Sequence, residues 1–115
     1  MFNVHYILAV SNYLGEFEYL VLLAIVRLGE DAYGVTIRRT LEERAGRDAS
    51  FGAIHSTLRR LETKGLVRSR RGDPEPVRGG KAKKFIALTP SGKTALRDSQ
   101  AAFQRMAQGL DLVRA

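Results

Sequence analysis

Basic side chains are the residues with the clearest chemical potential, because most of the positive charge lies in one short part of the chain. The 115-residue sequence has a formal net charge of +7. Residues 59–84 hold ten basic and three acidic residues, whereas residues 1–58 hold five basic and seven acidic ones. Such a local excess of Lys and Arg is typical of a surface that binds a polyanion, although a basic surface can also serve solubility alone.

A predicted helix with two different faces begins just before this basic stretch, at residue 50. Its apolar face recurs at spacings of three, four and three and comprises Phe51, Ile54, Leu58 and Leu61. The opposite face and its flanks carry Gly52, Ala53, Ser56, Arg59, Arg60 and Thr63. A helix that enters a DNA major groove needs small residues near its N-terminus and donors or cations further along. The pattern fits that use, and it also fits an ordinary amphipathic helix with a solvated Arg face.

The basic residues after this helix fall on a predicted β-hairpin. Residues 66–71 alternate weakly, and residues 84–89 are rich in aromatic and β-branched side chains, so both stretches are predicted strands. Two prolines and three glycines in the sequence GDPEPVRGGKAK between them exclude a helix or a central strand. A hairpin directly after a groove-reading helix is a wing, whose basic tip can follow the backbone or enter a minor groove.

Two further helices are predicted ahead of the reading helix, over residues 14–28 and 34–45, with Gly29 and Gly46 placed to end them. The second of these, a tight turn and the reading helix make a helix-turn-helix. The apolar segment 1–13, whose helical character the sequence leaves open, is assigned to a dimer contact through Phe2, Tyr6, Ile7, Val10 and Tyr13.

Thr89 and Pro90 predict the start of a last helix, with Thr as the N-cap and Pro at the first position. An apolar seam follows at nearly heptad spacing, formed by Leu96, Phe103, Met106, Leu110 and Val113. The seam could fold back on the core, but so small a domain offers no obvious partner for it, and pairing with a second chain is the preferred interpretation. The predicted fold is therefore mainly α with a small β-hairpin: a dimer-contact segment at 1–13, a winged helix-turn-helix at 14–89 and a C-terminal dimerisation helix at 90–115.

Catalytic and metal-binding residue patterns are scarce. The chain has no Cys, which excludes disulfides and thiolate metal sites. Its two histidines are His5 and His55, and the helical neighbours His55 and Ser56 point too far apart to form a nucleophile–base pair. Gly79-Gly80-Lys81 lacks the longer spacing of a phosphate-binding loop. We therefore predict a non-enzyme without a cofactor.

The sequence shows no pattern typical of a membrane-spanning segment or of a secretory signal. The longest apolar run, residues 19–26, is far shorter than the roughly 20 residues that span a bilayer. No Lys or Arg precedes Arg27, whereas a secretory signal has a basic start. We expect a cytoplasmic protein without a membrane partner.

Three stretches together resemble the PadR family of transcriptional regulators, a winged helix-turn-helix family of bacteria and archaea. These stretches are LGEFEYLVLLAIVRLGEDAYGVTIRR, GAIHSTLRRLETKGLVRSRRG and RGGKAKKFIALTPSGKTAL, which span roughly residues 14–96. The sequence departs from the family at His55, where Tyr is usual, at Ser56, where Pro or Thr is usual, and at Phe85-Ile86, where the family carries paired aromatics. These departures affect the expected target sequence more than the expected fold.

Membership would imply a homodimer that binds a palindromic operator in double-stranded DNA, usually as a repressor, with Tyr33 touching a phosphate. The predicted DNA contacts are Tyr33, Ser50, Gly52, Ala53, His55, Ser56, Arg59, Arg60, Lys64, Arg70, Arg71, Arg78, Lys81, Lys83 and Lys84. Ser56 and Arg60 are expected to select the sequence, and the wing cations to supply non-specific affinity. An RNA-binding or protein-interaction module without operator specificity is the alternative. The sequence indicates no ligand, and the dimer interface is where a small-molecule inducer would be expected.

Overall fold

The chain folds into four helices and one β-hairpin in a computed structural model that describes residues 14–72 and 83–112. In chain order the elements are α1 (Glu16–Leu28), a 3₁₀ turn (Gly29–Asp31), α2 (Gly34–Ala45), α3 (Phe51–Thr63), β1 (Val67–Arg71), β2 (Lys84–Leu88) and α4 (Pro90–Ala107). This order confirms the expected mainly helical winged helix-turn-helix. None of the described helices is long and apolar enough to cross a membrane.

Helix α1 lies at the centre of the core, because other helices and the hairpin pack around it. Its residues Val21 and Leu22 are fully buried. They share one apolar cluster with Ile37 of α2 and with Ile54 and Leu61 of α3. Burial of this cluster removes apolar surface from water and thereby determines which face of each helix remains solvated.

The ends of α2 and α3 follow the local sequence. Gly46 adopts the left-handed conformation, with φ of 64°, that ends α2. The Ser50 hydroxyl accepts a hydrogen bond from the backbone N–H of Ala53 at 3.1 Å, as expected of an N-cap. Gly65, with φ of 76°, then turns the chain out of α3 towards the hairpin.

The expected apolar face of α3 needs one correction. Phe51 does not join the core and is 50% exposed, whereas Thr57 is 2% exposed. Thr57 lies closer than Phe51 to the common direction of Ile54 and Leu61 on the helix, so it takes the buried position. The oxygen of its side chain accepts a hydrogen bond from Arg60, which compensates for its burial.

The two strands of the wing pair in antiparallel fashion, with Val67 opposite Leu88 and Arg71 opposite Lys84. The backbone N–H of Ile86 also donates to the carbonyl of Ala32 at 2.8 Å. Ala32, which is extended, therefore flanks β2 on the side away from β1 and ties the hairpin to the helix-turn-helix. The predicted wing tip falls within residues 73–82 and lies outside the described residues.

Helix α4 begins at Pro90 as expected, and Thr89 accepts a hydrogen bond from the backbone N–H of Gly92 at 3.0 Å. A Cβ at Gly92 would lie 2.0 Å from the carbonyl oxygen of Leu66. Only a glycine therefore allows α4 to approach the backbone between α3 and β1 this closely.

The predicted C-terminal seam also needs correction. Leu96 is 9% exposed and belongs to the core of its own chain, so it is unavailable to a second chain. Helix α4 ends at Ala107, followed by Gly109 with φ of 83°, so Leu110 lies beyond the helix. Phe103 and Met106 remain on the helix as exposed apolar residues. Val113 and the segment 1–13 lie outside the described residues.

Candidate nucleic-acid interface

A tight turn between α2 and α3 presents the outer face of α3 to solvent. Backbone N–H groups of Gly46 and Arg47 donate to the carbonyls of Glu42 and Leu41, which closes the end of α2. The Arg38 side chain then reaches across the turn and donates through Nε to the carbonyl of Ala49 at 3.0 Å. These bonds hold the angle between the two helices and leave one side of α3 uncovered.

The side chains that the sequence places on the outer face of α3 are all exposed in the fold. They comprise Ser50, Gly52, Ala53, His55, Ser56, Arg59 and Arg60. Small residues occupy the first turn, and both arginines follow about two turns later. The backbone of the first turn can therefore approach another surface closely, with donors and cations beside it.

Tyr33 precedes α2 and lies against the base of the wing. The Thr36 hydroxyl accepts from the Tyr33 backbone N–H at 3.0 Å and donates to the Asp31 carbonyl at 2.6 Å, which satisfies the start of the helix. The ring of Tyr33 meets that of Phe85 edge-on, with centroids 5.5 Å apart. Lys83 places its ammonium 4.6 Å from the centre of the Tyr33 ring.

A second cation joins this group, since the Arg70 guanidinium lies 4.8 Å from the centre of the Phe85 ring. Cations over aromatic faces gain electrostatic stabilisation from the ring quadrupole. The aromatic pair thus holds one cation from each side of the wing close to the start of α2.

Like charges face each other directly across the wing. Arg71 and Lys84 are cross-strand partners, and both are exposed. Like charges in directly opposite positions destabilise a sheet. An anionic ligand between or beside them would relieve that repulsion, so the arrangement favours a polyanion as the partner of this surface.

A buried carboxylate holds the other end of α3. Glu18 of α1 is 6% exposed, and the Nζ atom of Lys64 lies 3.0 Å from each of its two carboxylate oxygens. Arg60 approaches the same carboxylate, with its Nε atom 3.6 Å from Oε2. The backbone N–H of Gly15 donates to Oε1 at 3.0 Å. Glu18 therefore ties the first turn of α1 to the C-terminal end of α3.

The ionisation of Glu18 reflects this environment. Burial alone raises the pKa of a carboxyl group, but the Gly15 backbone N–H, the Lys64 ammonium and the Arg60 charge together lower the pKa of Glu18 below 4.5. The carboxylate is consequently charged at neutral pH. It therefore partly neutralises Lys64 and Arg60, two of the cations that the sequence predicts as DNA contacts.

Glu18, which holds α3 in place beside this surface, is a residue that the sequence analysis did not identify. A signal was present, because Glu18 lies three and four residues before the buried Val21 and Leu22 and so shares their helix face. An acidic residue on an apolar face indicates a buried partner of opposite charge. Its partners, however, are 42 or more positions away in the sequence.

Four of the predicted contact residues, Tyr33, His55, Arg59 and Lys84, line one cavity between the start of α2, α3 and the base of the wing. Lys64 differs from the rest because its ammonium is engaged with Glu18. Arg78 and Lys81 lie outside the described residues. Within residues 14–72 and 83–112, no group of three or more His, Asp and Glu side chains could hold a metal ion.

Comparison with known proteins identifies a family. The model of the transcriptional regulator PadR-like family matches residues 22–98. No curated protein matches the chain.

Solved structures show the same architecture. A PadR family transcription regulator from Clostridium difficile superposes with a TM-score of 0.66 at 24% identity, over 84% of this chain and 99% of that one. A PadR family transcriptional regulator from Eggerthella lenta has a TM-score of 0.64 at 28% identity, over 83% and 82% of the two chains. Bacillus subtilis PadR, solved in complex with operator DNA, has a TM-score of 0.61 at 25% identity, over 74% of this chain and 46% of that one.

Replacement of Glu18 by Gln should destabilise the chain by about 1–3 kcal/mol at pH 7, because Lys64 and Arg60 lose a charged acceptor in a buried site. The folded-state pKa of Glu18 is lowered from 4.5. Its contribution is therefore complete above that pH and is lost as the pH falls through the lowered pKa. Urea unfolding of both chains between pH 3 and pH 7 should show a difference that shrinks in acid.

Glu16→Gln is the matched control, since Glu16 lies in the same turn of α1 but forms an exposed ion pair with Arg47. Its cost should stay below about 1 kcal/mol. Equal effects of the two substitutions, or a Glu18→Gln difference that is constant with pH, would contradict the assignment of Glu18.

Proposed function

The chain belongs to the PadR-like family of transcriptional regulators, and we propose that it binds double-stranded DNA sequence-specifically, as a homodimeric repressor on a palindromic operator. The observation that carries this proposal is the surface of α3 and the wing, where small exposed residues lie beside the exposed cations Arg59 and Lys84. The operator complex of Bacillus subtilis PadR, a protein of the same fold, supports it. A transcriptional regulator has to reach chromosomal DNA, so we propose a cytoplasmic location.

Base recognition is assigned to the first two turns of α3. Gly52 and Ala53 are exposed and add little bulk, so the helix can approach base edges closely. His55 and Ser56 follow with side chains that can donate or accept hydrogen bonds. Because both are exposed and lie beyond the N-cap bond of Ser50, they are the polar groups best placed to discriminate between bases.

Phosphate binding is assigned mainly to the wing. Arg71 and Lys84 oppose each other across its two strands, while Lys83 and Arg70 are held against the Tyr33–Phe85 pair. Tyr33 at the start of α2 lies within this group and fits a phosphate contact. Arg78 and Lys81 are proposed to extend the same surface.

The cations at the end of α3 have a different role in this proposal. Lys64 and Arg60 both approach the buried carboxylate of Glu18, so a phosphate would have to compete with an anion already in place. Arg60 is 56% exposed in its side chain and can still reach a base or a phosphate. Lys64, at 27%, is better placed to anchor α3 than to bind DNA.

Dimerisation is assigned to the exposed apolar residues at the end of α4. Phe103 is 52% exposed and Met106 is 80% exposed. The ring of Phe103 packs edge-on against Tyr19 of α1, with centroids 5.1 Å apart, which fixes its position. A twofold dimer formed here would bind half-sites separated by about 34–36 Å, one turn of DNA.

An RNA-binding or protein-interaction module is the second candidate. RNA-binding modules usually offer exposed aromatic rings for base stacking. Tyr33 and Phe85 are partly buried and pack on each other, and both carry cations on their faces. These two rings are therefore already occupied, which favours duplex DNA over base stacking by RNA at the base of the wing.

Duplex DNA from the promoter upstream of its own gene should bind at least about a thousandfold more tightly than a random duplex at physiological salt. Fluorescence anisotropy with the promoter duplex, a scrambled duplex of equal composition and a matched RNA measures the three affinities. Equal affinity for all three would contradict the regulator proposal, and a preference for RNA would favour the second candidate.

Arg71→Ala should lower the slope of log affinity against log salt by about one unit, because one phosphate contact and its released counterion are lost. Lys64→Ala should change that slope by much less, since its charge is already balanced by Glu18. Titrations of one duplex at four salt concentrations separate the two variants. If the Lys64 substitution has the larger effect on the slope, the assignment of cations to phosphates is wrong.

Phe103→Glu should convert a dimer into monomers in analytical ultracentrifugation, because a charge would be buried in the proposed apolar contact. Gln104→Glu introduces the same charge at the next exposed position of α4 and should leave the dimer intact. An unchanged dimer with Glu at position 103 would refute this placement of the interface.

A further inference from the structure

Phe51 is a large aromatic residue that the core of this domain does not bury. It is the first residue of α3 and is 50% exposed. Val35, in the first turn of α2, is 43% exposed. Both residues line one cavity of about 260 Å³ beside the outer face of α3, together with Tyr33, His55 and Leu58. The proposed DNA surface thus contains an apolar patch, defined here as Phe51 and Val35.

Arg38 holds the ring of Phe51 in place. Its guanidinium lies 4.7 Å from the centre of the ring. The same side chain donates to the carbonyl of Ala49 at 3.0 Å, and Asp48 lies 4.0 Å from its Nη2 atom. Arg38 is therefore fixed from two sides and covers part of the ring by a cation–π contact. The remaining ring surface is preorganised and open to a ligand.

The location of the patch restricts what that ligand can be. Residues at the N-terminal end of a groove-reading helix contact base edges. In the major groove, the only methyl group on a base edge is the C5-methyl group of thymine, and Phe is among the side chains that contact it. The exposed neighbours Gly52 and Ala53 carry too little bulk to keep the helix away from the bases.

The charges around the cavity fit the same ligand. Arg59 and Lys84 also line it, and both are exposed cations that can face the phosphates beside a bound base. The acidic lining residue, Glu62, accepts a hydrogen bond from the Ser69 hydroxyl at 2.9 Å and is thereby held towards the wing. The patch is thus apolar at its centre and mainly cationic at its rim.

We propose that Phe51, supported by Val35, is a specificity-determining residue that recognises the methyl group of thymine in the operator half-site. This inference rests on the proposed DNA-binding function and extends it from binding to the choice of base. A cytosine, a guanine or an adenine at that position would place a polar edge against an apolar ring, which leaves its hydrogen-bonding groups unpaired. Uracil would keep the polar edge of thymine but lose the methyl contact.

Thymine-to-uracil replacement provides the test, because it removes only the methyl group. A duplex is first selected from a random-sequence library by the full chain. It is then synthesised with deoxyuridine in place of thymidine, at all positions and at one position at a time. For the wild-type chain, affinity should fall about fourfold for each contacted methyl group, and the loss should concentrate at one position of each half-site.

At the position where the wild-type loss is concentrated, the Phe51→Ala variant should bind the thymine duplex and the singly uracil-substituted duplex with the same affinity, and Phe51→Leu should keep part of the discrimination. Val26→Ala is the control: Val26 is 56% exposed on α1, outside the patch, and this variant should discriminate as the wild type does. Unfolding midpoints close to that of the wild type would show that the variants remain folded, as expected for an exposed position.

The outcomes distinguish a failure of the proposed DNA-binding function from a failure of the proposed thymine recognition. A wild-type chain that binds its selected duplex no better than a scrambled one contradicts the DNA-binding function itself. Specific binding that is indifferent to uracil overturns only the thymine inference. Selected half-sites without thymine, or a Phe51→Ala chain that still discriminates thymine from uracil at that same position, would overturn the assignment to Phe51.

Discussion

The packing of Ile54 and Leu61 of α3 against the buried face of α1 is the constraint on which the rest of the surface depends. A helix can bury only about one side, so this packing determines that Gly52, Ser56 and Arg59 face solvent. Glu18 adds a directional bond to the same interface, because apolar packing alone leaves the end of α3 free to shift. The buried carboxylate is held by Lys64, Arg60 and the Gly15 N–H, and its low pKa keeps that bond charged at neutral pH.

Stability and binding make opposite demands on the wing. Arg71 and Lys84 repel each other across the strands, which costs stability in the isolated chain. In the proposed complex, phosphates would relieve this repulsion, which would strengthen the attraction of the wing for DNA. The structure limits the cost by placing Lys83 and Arg70 on aromatic rings and by joining Ile86 to the carbonyl of Ala32. The wing is therefore held at its base by cation–π contacts and a backbone hydrogen bond.

Most of the secondary structure was predictable because local signals determine it. Ser50 and Thr89 cap their helices as their types suggest, and Gly46 ends α2 in the left-handed conformation. The errors concern residues whose environment depends on distant parts of the chain. Leu96 is buried in its own core and Phe51 is left outside it, because the shape of the surrounding helices, and not spacing along one helix, decides whether a position is covered. The proposed contacts of these surfaces with DNA remain predictions, whether they are argued from the sequence or from the structure.

The sequence by itself determined the element order, the helix caps and the concentration of positive charge in residues 59–84, since these follow from neighbouring residue types. It also carried the resemblance to the PadR family that the family model confirms. Only the tertiary structure decided which cations lie next to a carboxylate and which lie next to another cation. Lys64 meets Glu18 across 46 positions, while Arg71 meets Lys84 across a hairpin. The physical reason is that electrostatic and packing interactions depend on distance in space, and folding brings together charges that a sequence pattern can only count.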